Sequence, residues 1–183
     1  MFAHTEYDFS RRNIGFEVFR FEDGQAIEHW DNIQKRQGPN LSGRSMVDGP
    51  VEARDLHLTE ENREFVRSFV QNVLVDGKLN QSEMYINAGA FAEHNPRFGD
   101  DLTQLRTEIS ATENGQKITD YQKLHRVLAQ GDFVLTVCEG YARSVHSAYY
   151  DLFRVENEKI VEHWDTVEKI APRGEWKNDN GKF

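Results

Sequence analysis

Tyr149, Asp151 and Phe153 alternate along one apolar stretch of the chain, and Val161, His163 and Asp165 alternate along the next. In extended strands a spacing of two puts side chains on one face. If both rows look inward, two carboxylates, an imidazole and a phenol share one pocket. Carboxylates drawn out of water among aromatic rings have raised pKa values and exchange protons near neutral pH. The chemistry is general acid/base catalysis, with Asp165, Asp151 and His163 as catalytic candidates and Tyr149 binding substrate beside them. Register decides the matter. A tight two-residue turn at Asn157-Glu158 sets Asp151 opposite Trp164, and the two acids share a face only if a bulge or longer loop shifts the pairing by one.

Further candidates lie outside these rows. His94-Asn95-Pro96 ends a short strand from Phe91, and the proline forces Asn95 into extended geometry, which fixes where His94 points. These two residues are expected either as hydrogen-bonding groups on the pocket rim or as a strand-ending turn satisfied locally. His125 shares a parity with Tyr121 and Val127. Glu139 stands in an apolar strand, either facing solvent or serving as a pocket acid. His94, His125 and His163 lack ligand-pair spacing, so no metal site is expected. No glycine-rich nucleotide loop and no Gly-x-Ser-x-Gly nucleophile motif is present.

The elements that must position these groups follow from periodicity. Thr59 offers an N-cap, with Glu60 and Glu61 in the first turn. Phe65, Val66, Phe69, Val70, Val73 and Leu74 recur at helical spacing until Asp76-Gly77 stops the helix. Shorter helices are expected over 82–86 and 101–109. Strands are expected over 118–130 and 133–142, joined by a hairpin at Gly131-Asp132, and over 146–155 and 159–165. Helices first and a strand meander after them predict an α+β fold, the helices lying on one face of a curved sheet.

An internal repeat precedes this unit. Residues 19–31, Phe-Arg-Phe-Glu-Asp-Gly-Gln-Ala-Ile-Glu-His-Trp-Asp, recur without a gap as residues 153–165, Phe-Arg-Val-Glu-Asn-Glu-Lys-Ile-Val-Glu-His-Trp-Asp. The same register aligns Tyr7 with Tyr141 and Glu17 with Asp151. Nothing ahead of the first copy corresponds to residues 59–131, so that copy cannot bury its apolar face alone. Its strands, 2–8, 14–21 and 26–31, are expected to pack against the second copy's sheet, within the chain or across a dimer. The predicted organisation is a partial repeat over 1–37, a Gly/Pro-punctuated linker over 38–58, the main domain over 59–171 and a tail over 172–183.

Composition bounds the rest. The chain has 183 residues, with 22 Lys and Arg against 31 Asp and Glu for a net charge of −9, and an acidic surface of this kind argues against nucleic-acid binding. No apolar run approaches the ~20 residues of a membrane span, and no secretory leader is visible at the start, so a cytoplasmic protein is expected. Cys138 is the only cysteine, which excludes an internal disulfide.

Several ordered segments carry a resemblance: Tyr85-Ile86-Asn87, His94-Asn95-Pro96, His125-Arg126-Val127 through Gly131-Asp132-Phe133-Val134, Glu139-Gly140, Tyr150-Asp151-Leu152-Phe153-Arg154 and Glu162-His163-Trp164-Asp165. Over residues 62–171 the chain resembles the SnoaL-like polyketide cyclase branch of the NTF2-like superfamily, and within it a bacterial SnoaL-like aldol-condensation group. The resemblance implies a cone-shaped, curved antiparallel sheet with N-terminal helices closing a pocket, dimerised through the sheet's outer face. It implies that Asp165 matches the general acid/base of the cyclases, and that Asp151 stands where they carry an assisting histidine. Tyr85 joins His94, Asn95, His125 and Glu139 as a substrate-binding candidate. The expected activity is cofactor-independent cyclase, isomerase or aldol-type chemistry on a small, mostly apolar, enolisable carbonyl compound. The alternative is a non-catalytic NTF2-like binding or dimerisation module.

Overall fold

The computed structural model describes residues 1–8 and 12–183. Its main sheet has the order β4 (Ala92–Glu93), β10 (Lys159–Lys169), β9 (Val145–Glu156), β8 (Phe133–Ala142) and β7 (Thr119–Gln130). The expected meander is present and antiparallel, whereas the short β4 adds to its edge in parallel with β10. A second sheet, β1 (Phe2–Asp8), β2 (Arg12–Glu22) and β3 (Gln25–Lys35), is formed by the partial repeat. A small hairpin, β5 (Thr112–Glu113) and β6 (Gln116–Lys117), precedes β7.

Bulges bend the main sheet. Pairing shifts twice along β7, between Tyr121 and Lys123 and between Leu124 and Arg126, and once along β10 between Ile160 and Glu162. Each extra residue sharpens the local twist, which curls the strands around one face. That concave face is covered by α1 (Thr59–Phe69), a wider turn over Val70–Val75, α2 (Ser82–Tyr85) and α3 (Leu102–Ser110). Val66, Phe69, Val70, Val73 and Leu74 are the buried stripe of the first helix, as their spacing requires.

Thr59 differs from expectation. It lies inside the helix, and its hydroxyl donates to the Leu56 carbonyl (2.7 Å) and accepts from the Gly131 amide (2.8 Å). Asn62 Nδ2 donates to the Gly131 carbonyl at 2.9 Å. These bonds fasten the start of α1 to the β7–β8 turn. Gly131 is required there: its φ is +60°, and a Cβ would sit 1.9 Å from the Arg54 carbonyl oxygen. At α3, Asp101 caps the helix, its side chain accepting from the Thr103 amide at 2.8 Å.

The convex face of the main sheet is covered within the same chain. Phe16, Val18 and Trp30 from the first sheet interleave with Leu135, Val137, Tyr150, Leu152 and Trp164 of the second. Polar bonds stitch the layers: Asn32 Nδ2 donates to the Ala148 carbonyl at 3.0 Å, and the Val167 amide donates to Gln34 Oε1 at 2.9 Å. The face expected to carry a homodimer is therefore occupied by β1–β3. The two tryptophans at matching repeat positions both lie in this layer.

The repeat holds in three dimensions. Strands β2 and β3 pair in the same register as β9 and β10, and the bulge at Val161 has its counterpart at Ile27. Glu17 faces Asp31 as Asp151 faces Asp165. Strand β1 matches β8, offset by one from the sequence alignment: Tyr7 pairs with Asn13 as Gly140 pairs with Ser147, so Tyr7 takes the place of Gly140 rather than Tyr141.

Phe16 is fully buried between the layers, so Phe16→Ala is expected to cost roughly 3–5 kcal/mol in chemical denaturation. Deleting residues 1–37 uncovers Leu135, Tyr150, Leu152 and Trp164. Sedimentation velocity is expected to show the shortened chain self-associating; a well-folded, dispersed product would show that the main sheet needs no cover.

Candidate active site

The bulge in β10 resolves the register question raised by the sequence. With Val161 as the extra residue, Asp165 pairs directly with Asp151 and His163 with Phe153. Tyr149, Asp151, Phe153, His163 and Asp165 all line one cavity of about 40 Å³ on the concave side. Phe69, Phe91, Phe98 and Leu105 close it from the covering elements. Asp151 is fully buried and Asp165 is 6 % exposed.

His163 is held on both sides by carboxylates. Its Nδ1–H donates to both Glu93 oxygens (2.9 and 3.0 Å) and its Nε2–H to Asp151 Oδ1 (3.1 Å), while its ring stacks on Phe153 with centroids 4.9 Å apart. Burial works against the imidazolium, but Glu93 and Asp151 outweigh it and raise the His163 pKa well above its ordinary value. Tyr121 donates its hydroxyl to the same Asp151 oxygen at 2.9 Å. Burial, and then the charge of Asp151, push the Tyr121 phenol far up, so it stays a neutral donor.

Asp165 is in a different state. Burial raises its pKa; His163 opposes, and Asp151 and Glu93 add to the rise, leaving it at about 6. Asn95 Nδ2 donates to Asp165 Oδ2 at 2.7 Å, while Oδ1 is buried without a partner among the described residues. Asp151 Oδ2 is likewise unpartnered. Two carboxylate oxygens in an apolar hollow are thus free for a ligand, and one belongs to an acid that gains and loses its proton near neutral pH.

The positioning of Glu93 and Asn95 comes from residues expected to form a linker. Asn40 Nδ2 donates to the Glu93 carbonyl at 2.5 Å, and Arg44 holds Asp100 in a forked pair whose Oδ1 accepts from the Glu93 amide at 3.0 Å. Strand alternation then turns Glu93 and Asn95 inward and His94 outward. His94 contacts Ser45 O, Asp48 Oδ1 and Glu162 Oε1, and stacks on Trp164 at 4.6 Å.

Of the substrate-binding candidates, the structure gathers Tyr149 and Asn95 with the three catalytic candidates. The others lie elsewhere. His94 is on the opposite face because its parity is that of Trp164's layer. His125 and Glu139 meet each other at 2.9 Å, and Glu139 also takes His146 at 2.7 Å, all on the convex side. Tyr85 packs behind Phe65 and Phe69. Glu93 and Tyr121 were missed. Glu93 flanks the candidate His94 at the alternate parity, which was a usable signal, whereas two bulges in β7 erase the parity of Tyr121. Among the described residues no group of His, Cys, Asp and Glu is arranged to hold a metal ion.

Comparison with known proteins bears on the fold. No family model matches the sequence, and no curated protein matches it. Among solved structures, a candidate ketosteroid isomerase from Kribbella flavida DSM 17836 is similar over 68 % of this chain and 94 % of its own, with TM-score 0.54 and 11 % identity. The chain has that structure's fold, an NTF2-like curved antiparallel sheet with helices on one face. An NTF-2 like protein of unknown function from Burkholderia xenovorans LB400 covers 68 % of the chain and 99 % of its own at TM-score 0.49 and 17 % identity. A candidate polyketide cyclase from Acidithiobacillus ferrooxidans covers 59 % and 88 % at 0.46 and 14 %. Identities this low speak for architecture and leave the activity to the site.

The partial repeat supplies an internal comparison. Glu17 contacts His29, and Phe19 stacks on His29 at 4.5 Å, as Asp151, His163 and Phe153 do in the main domain. The difference is cover. The His29 side chain is 45 % exposed and that of His163 is 12 %. Similar strands therefore yield a solvated cluster in one copy and an enclosed one in the other.

Because the Asp165 pKa lies above its ordinary 3.8, the stability gained from its neutral form is fully present below about pH 4 and lost as pH rises through about 6. At neutral pH the ionised form costs roughly 3 kcal/mol or less. Asp165→Asn is expected to be more stable than the parent at pH 8 and equal to it at pH 4, measured by denaturant titration at both pH values. A variant less stable at pH 8 would give Asp165 a structural role.

Proposed function

We propose that the chain is a cofactor-independent acid/base enzyme acting on a small, mostly apolar carbonyl compound that bears an acidic α C–H. The observation that carries this reading is Asp165: a buried carboxylate with a pKa of about 6 and one unpartnered oxygen facing an apolar hollow. Asp165 Oδ1 takes the α-proton, and the C–H electron pair moves onto the carbonyl oxygen to give an enolate. The charged His163, fixed by Glu93 and Asp151, is a positive centre beside that developing charge and needs no reorganisation to act. Asn95 holds Asp165 in place, and Tyr121 and Asp151 hold His163. Return of the proton at another carbon completes an isomerisation; attack of the enolate carbon on a second carbonyl forms a C–C bond and an alkoxide, which takes the proton back from Asp165 to complete an aldol or cyclisation step.

A second reading, a non-catalytic binding module, is favoured by the narrowness of the hollow. About 40 Å³ admits roughly three waters, so a substrate enters only as Arg97 and Phe98 at its wall shift. On either reading the outer face that the resemblance gives to a homodimer holds β1–β3 of the same chain.

The test is exchange of α-protons for deuterium in D₂O across a panel of small ketones and keto esters, followed by NMR. The chain is expected to accelerate exchange of at least one of them, with the rate rising through about pH 6 as Asp165 ionises and levelling above it. Asp165→Asn is expected to lose about 10²-fold or more. Ligand-induced thermal stabilisation with no exchange in any compound would leave the binding module standing instead.

A further inference from the structure

The acid/base cavity has a neighbour. A hollow of about 210 Å³ adjoins it, and the two share Arg97, Thr119 and Tyr149 as lining residues. Other walls of the hollow come from Gln34 in β3, from Asn95-Pro96 and from Arg143 just after β8. The chain carries a net charge of −9, yet two arginines and no Asp or Glu line this space.

The two arginines differ in what already engages them. Arg143 is paired with Glu113 at 3.0 Å, both side chains being exposed. Arg97 stands over the ring of the buried Phe98, its guanidinium carbon 4.9 Å from the centroid. Among the described residues its guanidinium makes no ion pair and no hydrogen bond. Stacking uses the face of a guanidinium and leaves the N–H donors along its edge free, and those donors take a carboxylate through two parallel bonds. The charge is felt inside: burial raises the Tyr149 phenol, and Arg97 is among the groups that oppose the rise.

Arg97 is also tied to the proposed general base. One side chain spans the two, because Asn95 Nδ2 donates to Asp165 Oδ2 at 2.7 Å and Asn95 Oδ1 accepts from the Arg97 amide at 2.9 Å. Pro96 between Asn95 and Arg97 has its φ set by its own ring. A proton acceptor in the cavity and an unpaired cation shared with the adjoining hollow are thus held by one short piece of chain.

We propose that the compound this site takes is a small oxo acid, with its ketone and α C–H against Asp165 and its carboxylate in the adjoining hollow on Arg97. The inference rests on the acid/base reading for the reaction and adds the second group that the site reads. Glu93 and Asp151 outnumber His163 in the cavity and repel a further carboxylate there, so the ketone end is the one that enters. Anchoring the other end holds the α C–H in one orientation at Asp165.

Two matched pairs test this: 4-oxopentanoate and 5-oxohexanoate, each against its methyl ester, which keeps the ketone and removes the charge. Exchange of the protons α to the ketone in D₂O reads the reaction, and isothermal titration of the full chain reads binding. At low salt at least one acid is expected to be preferred over its ester about fivefold or more in both measurements, and less so as salt is added. Arg97→Gln is expected to bring that acid down to the level of its ester. Arg97→Lys keeps part of the preference, since an ammonium retains the charge and loses the fork. Arg97 is exposed, so both variants are expected to fold, which thermal unfolding checks. Asp165→Asn is expected to lose exchange while still binding the acid ahead of the ester. Arg97-dependent binding of the acid without exchange by the parent chain would support the Arg97 contact and overturn the acid/base reading alone. Equal treatment of acid and ester, failure of both acids to bind, or a preference that survives Arg97→Gln would overturn the proposal.

Discussion

His163 sits between Glu93 and Asp151 in a hollow that excludes most water, and the rest of the site is arranged around that charge. Three carboxylates packed this closely repel one another, and each pays for leaving water. An imidazolium bonded to two of them offsets much of that cost, and leaves Asp165 as the acid whose proton is loosely committed. If the imidazole were absent, Glu93 and Asp151 would be uncompensated buried charges, and the concave face could not remain both acidic and closed. The enclosing helices, the bulges in β7 and β10 and the Asn40 and Arg44 contacts to the β4 segment serve to keep that group of four together.

The convex side solves a different problem. A curved sheet with apolar residues on both faces needs cover on both, and the helices supply only one. Here the second cover is a fragment of the same kind of unit, bonded through Asn32 and Gln34 and interleaved through Phe16, Val18 and Trp30. The fragment gives its convex-type residues to the interface and leaves its own His29 and Asp31 half-exposed, with Glu17 more covered. Where the layers diverge, near His4 and Asp48, they leave a cleft between them.

Much of the architecture was legible in the chain. The stripe of Val66, Phe69, Val70, Val73 and Leu74 marks a helix with one buried face, and Gly131-Asp132 marks the hairpin. The alternation through Tyr149, Asp151 and Phe153 marks a strand, and the recurrence of Glu-His-Trp-Asp marks the doubled hairpin. These are local signals, set by backbone period and turn chemistry. Parity failed wherever a bulge intervened: it could not assign Tyr121, and it left Asp151 and Asp165 on one face or on two. His94 misled because proline fixes a direction without saying which side of the sheet that direction faces.

What the sequence alone determined is the set of chemical groups and the strands that carry them: an acid on each arm of a hairpin, with an imidazole two residues before the second. That set occurs twice. Which copy becomes a site was decided by tertiary structure, because only the second copy has helices and a β4 segment to bring Glu93 and Asn95 over it and shut out water. Burial, not residue identity, lifts the Asp165 pKa towards neutrality, and burial is a property of residues distant in the chain. In the first copy the His29 side chain stays 45 % exposed.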